Sequence, residues 1–221
     1  MKNKLLDSEK FFSQLGHDLR GSFTSILGFS NILSDPNESF DENEVREFGK
    51  RISAQANESL ELLVNFINWL KLEKYNSLLT IDKLNLSDVI SEVSNSNRKQ
   101  LDSLNVTPIH SLNDSNYVFI DYEILTSILN NIIIYLLRFS EENTELKFSS
   151  TMNNIFTNLT ISITASKENI AILKDVNLSD PNSENAFPLI FAVKFIELCG
   201  GEFKLSFNDE EIAVVLAIPN K

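Results

Sequence analysis

Near the start of the chain, apolar side chains recur at Phe12, Leu15, Leu19, Ile26, Phe29 and Leu33. The steps of three and four trace one face of a helix, with Ser22 as the polar member of the row. A helix over residues 3–33 is expected, and its opposite, outer face carries Lys10, His17, Thr24 and Asn31. Residues 34–41 read as a loop with Asp41 as N-cap, opening a second long helix that ends near residue 75. Its apolar stripe is Val45, Phe48, Ile52, Ala56, Leu63, Phe66 and Leu70, joined by Trp69. Two long helices with a short connection make an antiparallel hairpin. Such a hairpin cannot cover a seam this long by itself, so pairing with a second copy into a four-helix bundle, as a homodimer, is expected.

From residue 78 the periodicity changes. Strand patterns are expected at residues 79–83, 105–110, 117–120, 145–150, 155–165, 202–207 and 212–218, with Asn153-Asn154 as a turn. Helices are expected at residues 86–104, 121–139 and 187–199, the last stopped by Gly200-Gly201, and residues 166–185 form a polar stretch. The fold class is therefore α+β. An N-terminal helical hairpin (residues 1–77) builds the dimeric bundle, and an α/β sandwich follows (residues 78–221).

Charge and composition narrow the function classes. The 221 residues carry a net charge of −12, which argues against a nucleic-acid partner, because neutralising phosphates takes clustered Lys and Arg. The acidity is uneven. Residues 1–34 hold four basic side chains against three acidic ones, so the helix with His17 is the least acidic region and suits an acidic partner. No apolar run approaches the roughly 20 residues that cross a bilayer, so no membrane partner is expected. Cys199 is the single cysteine and there are two histidines, which leaves no disulfide framework and no dedicated zinc site. A reducing cytoplasm is the expected compartment.

An imidazole held on a rigid helix and facing solvent is poor use of a histidine for packing. Asp18 and Arg20 stand beside it. His17-Asp18-Leu19-Arg20, continued by Ser25-Ile26-Leu27-Gly28-Phe29, resembles the phosphoacceptor box of two-component sensor histidine kinases. The spacing Asp121, Leu125, Leu129, Asn131, running to Arg138-Phe139-Ser140, resembles the helix of that family's asparagine box. Residues 193–201 resemble the helix and turn after its last glycine box. The order and intervening lengths match over nearly the whole chain. The resemblance implies a Bergerat-type ATPase fold for the second domain. It also implies response-regulator receiver domains as partners, with a sensor histidine kinase as a further one. His17 would be the phosphoacceptor, Asp18 the residue that hydrogen bonds the ring, and Arg20 a contact for the phosphoryl group or partner. Phe23, Thr24 and Leu27 would supply docking surface.

The chain departs from that family where nucleotide binds. The second asparagine of the box, which holds Mg²⁺ in the family, is Tyr135 here. The Asp-x-Gly-x-Gly turn is replaced by Ala165-Ser166-Lys167-Glu168-Asn169, and the Gly-x-Gly pair by Asn185-Ala186-Phe187. All six glycines lie at positions 16, 21, 28, 49, 200 and 201, so residues 50–199 contain none. A loop that closes backbone N–H groups on phosphate needs residues without side chains. Gly21-Ser22 replaces the family's Thr/Asn-Pro, which removes both a phosphatase side chain and the usual helix kink. The expected activity is a histidine phosphotransferase that relays phosphoryl groups and has no kinase activity of its own. It would bind no cofactor, and Mg²⁺ would come from the receiver domain. The alternatives are a non-catalytic pseudokinase binding module and an atypical active kinase. His110 and Cys199 are expected to be structural.

Overall fold

The computed structural model describes residues 2–74, 78–112, 116–174, 178 and 187–221, with backbone alone for residues 2–11 and 187. Helix α1 (Lys2–Ser34) and helix α2 (Glu42–Lys74) each run 33 residues. Without a proline after His17, α1 continues uninterrupted through that turn. Asp41 caps α2 as the spacing predicts: its Oδ1 accepts from the backbone N–H of Asn43 and Glu44, and Glu44 accepts in return from the Asp41 N–H.

The chain forms two compact units, Met1–Ile67 and Asn68–Lys221, whereas the sequence pattern puts the boundary after residue 77. In the first unit the expected seam of α1 is the protected one. Leu15 and Ser22 are buried, and Leu19, Ile26, Phe29 and Leu33 are half-buried. Edge-to-face contact of Phe12 with Phe66 fixes the antiparallel register, as does Phe29 beside Phe48; each pair has ring centroids 5.8 Å apart. The Arg51 guanidinium lies over the Phe29 ring at 5.7 Å.

Helix α2 departs from its expected stripe. Val45, Ala56 and Leu63 are exposed, while Ser59 and Asn65 are buried and Gln55 and Leu62 half-buried. The reason is that its second half is apolar on two sides. Only one side meets α1, and Leu60, Leu63, Val64 and Ile67 are left outside. The end of α2, with buried Asn68, Trp69 and Leu72 and an ion pair from Lys71 to Glu123, belongs to the second unit.

The second unit contains a mixed five-stranded sheet in the order β2 (Thr107–Ser111), β4 (Glu145–Met152), β5 (Phe156–Thr164), β7 (Glu211–Pro219) and β6 (Glu202–Phe207). Only the β2–β4 pair is parallel. A two-stranded antiparallel ribbon pairs β1 (Ile81–Asn85) with β3 (Tyr117–Asp121). The helices are α3 (Leu86–Ser96), α4 (Arg98–Ser103), α5 (Tyr122–Arg138), α6 (Lys167–Lys174) and α7 (Phe187–Leu198). Alternating strand residues, among them Leu159, Ile161, Val214 and Leu216, supply one wall of the core. Helix α5 packs against α7, burying Ile128, Ile132, Phe191 and Phe195.

Two expectations from the pattern are corrected. The single helix over residues 86–104 is broken at Asn97, whose side-chain amide donates to Val93 O and Asn130 Oδ1. The polar stretch after β5 contains α6, held by only two buried side chains, Ile170 and Leu173. Part of that stretch lies outside the described residues. Helix α7 ends as predicted: Gly200 takes φ +78°, and Gly201 N–H donates to Ile196 O at 2.8 Å. A Cβ on Gly201 would lie 2.4 Å from the Ala217 carbonyl oxygen of β7.

Candidate functional site

Helix periodicity sets His17, Arg20, Thr24, Leu27 and Asn31 on one side of α1, and all five are exposed. The His17 side chain is 79% exposed, the Asp18 side chain 30%. His17 Nδ1 lies 3.1 Å from Asp18 Oδ1, and the same oxygen accepts from Gln14 Nε2 at 2.9 Å. In the neutral ring, Nδ1–H donating to that carboxylate leaves the Nε2 lone pair directed at solvent. In that tautomer the ring nitrogen without a hydrogen-bond partner among the described residues is Nε2, on a helix and at a side chain 79% exposed.

Arg20 is exposed and has no ion pair among the described residues. Phe23 and Leu27, 49% and 61% exposed, lie outside the hairpin seam, and Thr24 between them is also exposed. Ser22 is buried, and at Gly21 an added Cβ would meet nothing within 4 Å. The structure thus brings His17 and Asp18 into contact and sets Arg20, Phe23, Thr24 and Leu27 along the adjoining turns. Sequence inspection missed Gln14, although its i, i+4 spacing to Asp18 was a visible signal.

In the second unit the residues that resemble an asparagine box lie at the start of and along α5. Asp121 is the N-cap of α5; its Oδ1 accepts from Ile124 N–H at 3.2 Å and its Oδ2 from Thr80 N–H at 2.8 Å. The Asn131 side-chain amide donates to Ser127 O at 2.9 Å within α5. Tyr135 is fully buried with its ring centroid 5.1 Å from that of Phe139, and its hydroxyl has no partner. Burial pushes the phenol up to about 12, with the Arg138 charge opposing the shift.

Where the resemblance puts an Asp-x-Gly-x-Gly turn, Ala165 N–H donates to Glu210 O and Ser166 Oγ accepts from Asn169 N–H to start α6. Asn185 and Ala186, at the place of the second glycine motif, lie outside the described residues. Pro188 sits in the first turn of α7, where its missing N–H costs nothing.

His110 stacks edge-on against Phe148 at 5.3 Å with Nε2 3.3 Å from Ser94 Oγ, and burial lowers its pKa. Cys199 is half-buried, and burial, helped by the negative Asp121, raises its thiol to about 12. Among the described residues no group of three or more His, Cys, Asp or Glu side chains is placed to hold a metal ion. None of their helices is long and apolar enough to cross a membrane.

No family model and no curated protein matches the chain. Solved structures do. The histidine kinase AdeS of Acinetobacter baumannii superposes with a TM-score of 0.71 at 17% identity, over 93% of this chain and 98% of that one. The histidine kinase ThkA, solved in complex with the response regulator protein TrrA, gives 0.71 at 18% identity over 100% of this chain and 64% of that one. The fold is that of a histidine-kinase core. Full-length ShkA, solved with AMPPNP, shares the histidine-kinase fold with a TM-score of 0.60 at 11% identity, over 96% of this chain and 47% of its own. Within that fold the helical hairpin carries His17, and the mixed sheet with α5 and α7 forms the part that matches isolated histidine-kinase catalytic domains such as that of ThkA (TM-score 0.57, 16% identity, 64% of this chain and 97% of that one).

Proposed function

We propose that this chain is a histidine phosphotransferase that works as a homodimer, relaying a phosphoryl group between His17 and the aspartates of response-regulator receiver domains. The observation that carries this role is the His17 ring, 79% exposed, with Nδ1 engaged by Asp18 and Nε2 clear. Nε2 attacks the phosphorus of a receiver's aspartyl phosphate. The N–P bond forms as the acyl O–P bond breaks, the aspartate leaves as a carboxylate, and the ring becomes an imidazolium whose Nδ1–H faces Asp18. A second receiver's carboxylate reverses the step and regenerates the neutral ring. Positioning and charge neutralisation supply most of the catalysis in such transfers. The chain provides the first, and Mg²⁺ arrives with the receiver. Arg20 is exposed one turn away, in position to meet the phosphoryl oxygens or the partner. Receiver docking on Phe23, Thr24 and Leu27 accords with their exposure, and the ThkA structure includes a response regulator protein.

A nucleoside triphosphate does not suit the second unit. Tyr135 is buried where the fold's relatives need a metal-holding amide, and residues 50–199 offer no glycine for a phosphate loop. The chain is therefore assigned no kinase activity of its own. Homodimerisation is supported by the exposed row Leu60, Leu63, Val64 and Ile67, which fills one side of α2.

Incubation with a ³²P-labelled receiver tests the role. Label moves to the wild type and stays at background on His17→Ala. Retention of full cellular activity by His17→Ala would replace the relay by a binding module that docks through Phe23 and Leu27. Stoichiometric labelling by ATP alone would restore an active kinase.

A further inference from the structure

Gln14 stands one helical turn before His17, and among the described residues it makes no hydrogen bond to the ring. Its Nε2 donates to Asp18 Oδ1 at 2.9 Å, the oxygen that also meets His17 Nδ1 at 3.1 Å. Neighbours at i and i+1 on a helix point about 100° apart and do not face each other. The Asp18 carboxylate must therefore swing back across α1 to reach the ring, and it stays 30% exposed while doing so. Left alone, it would exchange that contact for water. Residues four apart do face each other, so Gln14 is placed to hold the carboxylate in the swung position.

We propose that Gln14 is a positioning residue for His17: by pinning Asp18 it fixes the proton on Nδ1 and keeps Nε2 unprotonated. This inference rests on the phosphotransfer role, but it concerns a property of the ring that is measurable without any transfer. An amide suits the task because it donates to the carboxylate at every working pH and cannot take the proton itself. A carboxylate at position 14 would repel Asp18.

The experiment uses the full chain with ¹⁵N-labelled histidine at pH 8. In the wild type the His17 nitrogen shifts report Nδ1–H as the major tautomer. Gln14→Leu, which keeps helix propensity but has no donor, shifts the balance toward Nε2–H. Gln14→Lys, which keeps a donor, retains the wild-type pattern. In parallel, carbethoxylation of His17 by diethyl pyrocarbonate slows several-fold in Gln14→Leu and recovers in Gln14→Lys, with His110 as the internal control and helical circular dichroism as the check on folding. Unchanged tautomer and unchanged reactivity in Gln14→Leu would overturn the positioning role while leaving the relay intact. A shifted tautomer together with no transfer from any phosphorylated receiver would sink the relay and leave the positioning standing.

Discussion

The two units handle their apolar side chains in opposite ways. The hairpin leaves Phe23, Leu27, Leu60, Val64 and Ile67 between 44% and 61% exposed, although both helices are fully formed. The second unit also leaves apolar side chains outside, among them Met152 and Ile155, but it buries Ile128, Ile132, Phe191, Phe195 and Leu216 completely and packs even a tyrosine hydroxyl away without a partner. The hairpin's buried apolar side chain among the described residues is Leu15. On the proposed homodimer, a surface of the first kind would gain stability from the second copy that covers it. The second kind already has its core within one chain. The difference is one of core: the sheet unit has a buried apolar interior of its own, and the hairpin has almost none.

The comparison breaks most visibly through the core of the second unit. Phe195→Ala removes a fully buried ring that lies 5.6 Å from Phe191 and should cost about 3–5 kcal/mol in chemical denaturation. A loss under 1 kcal/mol would mean that this unit is not independently packed. On the hairpin, Leu60→Glu should leave the fold intact and weaken the proposed dimer. Burial of a leucine contributes about 2 kcal/mol per protomer, and two copies correspond to a dissociation constant roughly a thousandfold higher. Sedimentation should then report 25.1 kDa where the wild type reports twice that mass, and an unchanged mass would show that this row covers nothing.

A smaller effect sharpens the contrast from the other side. Tyr135→Phe deletes an unpartnered buried hydroxyl and should stabilise the chain by on the order of 1 kcal/mol. It should also flatten the alkaline limb of the stability curve. The folded phenol titrates near 12 against about 10 unfolded, so the unfolded state loses its proton first and stability falls as pH rises from 10 toward 12. Smallest is the effect at Cys199. Its thiol is held up near 12, so iodoacetamide at pH 8 should modify it more slowly in the native protein than in urea. Equal rates would show an open thiol.

Most of the fold was legible in the residues because its elements advertise a period. The α1 seam, the Asp41 cap, the Asn153-Asn154 turn and the Gly200-Gly201 stop all follow from local chemistry. The Asn153 carboxamide oxygen, for example, accepts from both Ile155 and Phe156 N–H. The inner face of α2 was not legible. There hydrophobicity marks every surface to be covered, by α1 or by another molecule, and cannot say which comes first. Ser59 and Asn65 took inner positions that a hydrophobic count assigns elsewhere. Helix α6 was hidden by having only two anchors. At the site, His17 and Asp18 were identifiable from their neighbours, whereas Gln14 required knowing which way one carboxylate turns.

The tight approach at Gly201 has a bearing on what the missing glycines mean. A side chain there would strike the Ala217 carbonyl oxygen at 2.4 Å and the Ile196 methyl at 2.8 Å, whereas the sites at Gly16, Gly21, Gly28 and Gly49 open onto nothing. Saturation mutagenesis would find 201 intolerant and those four permissive. The only glycine pair in the last three-quarters of the polypeptide is thus committed to joining a helix to a strand. It is already spent on the chain's own carpentry.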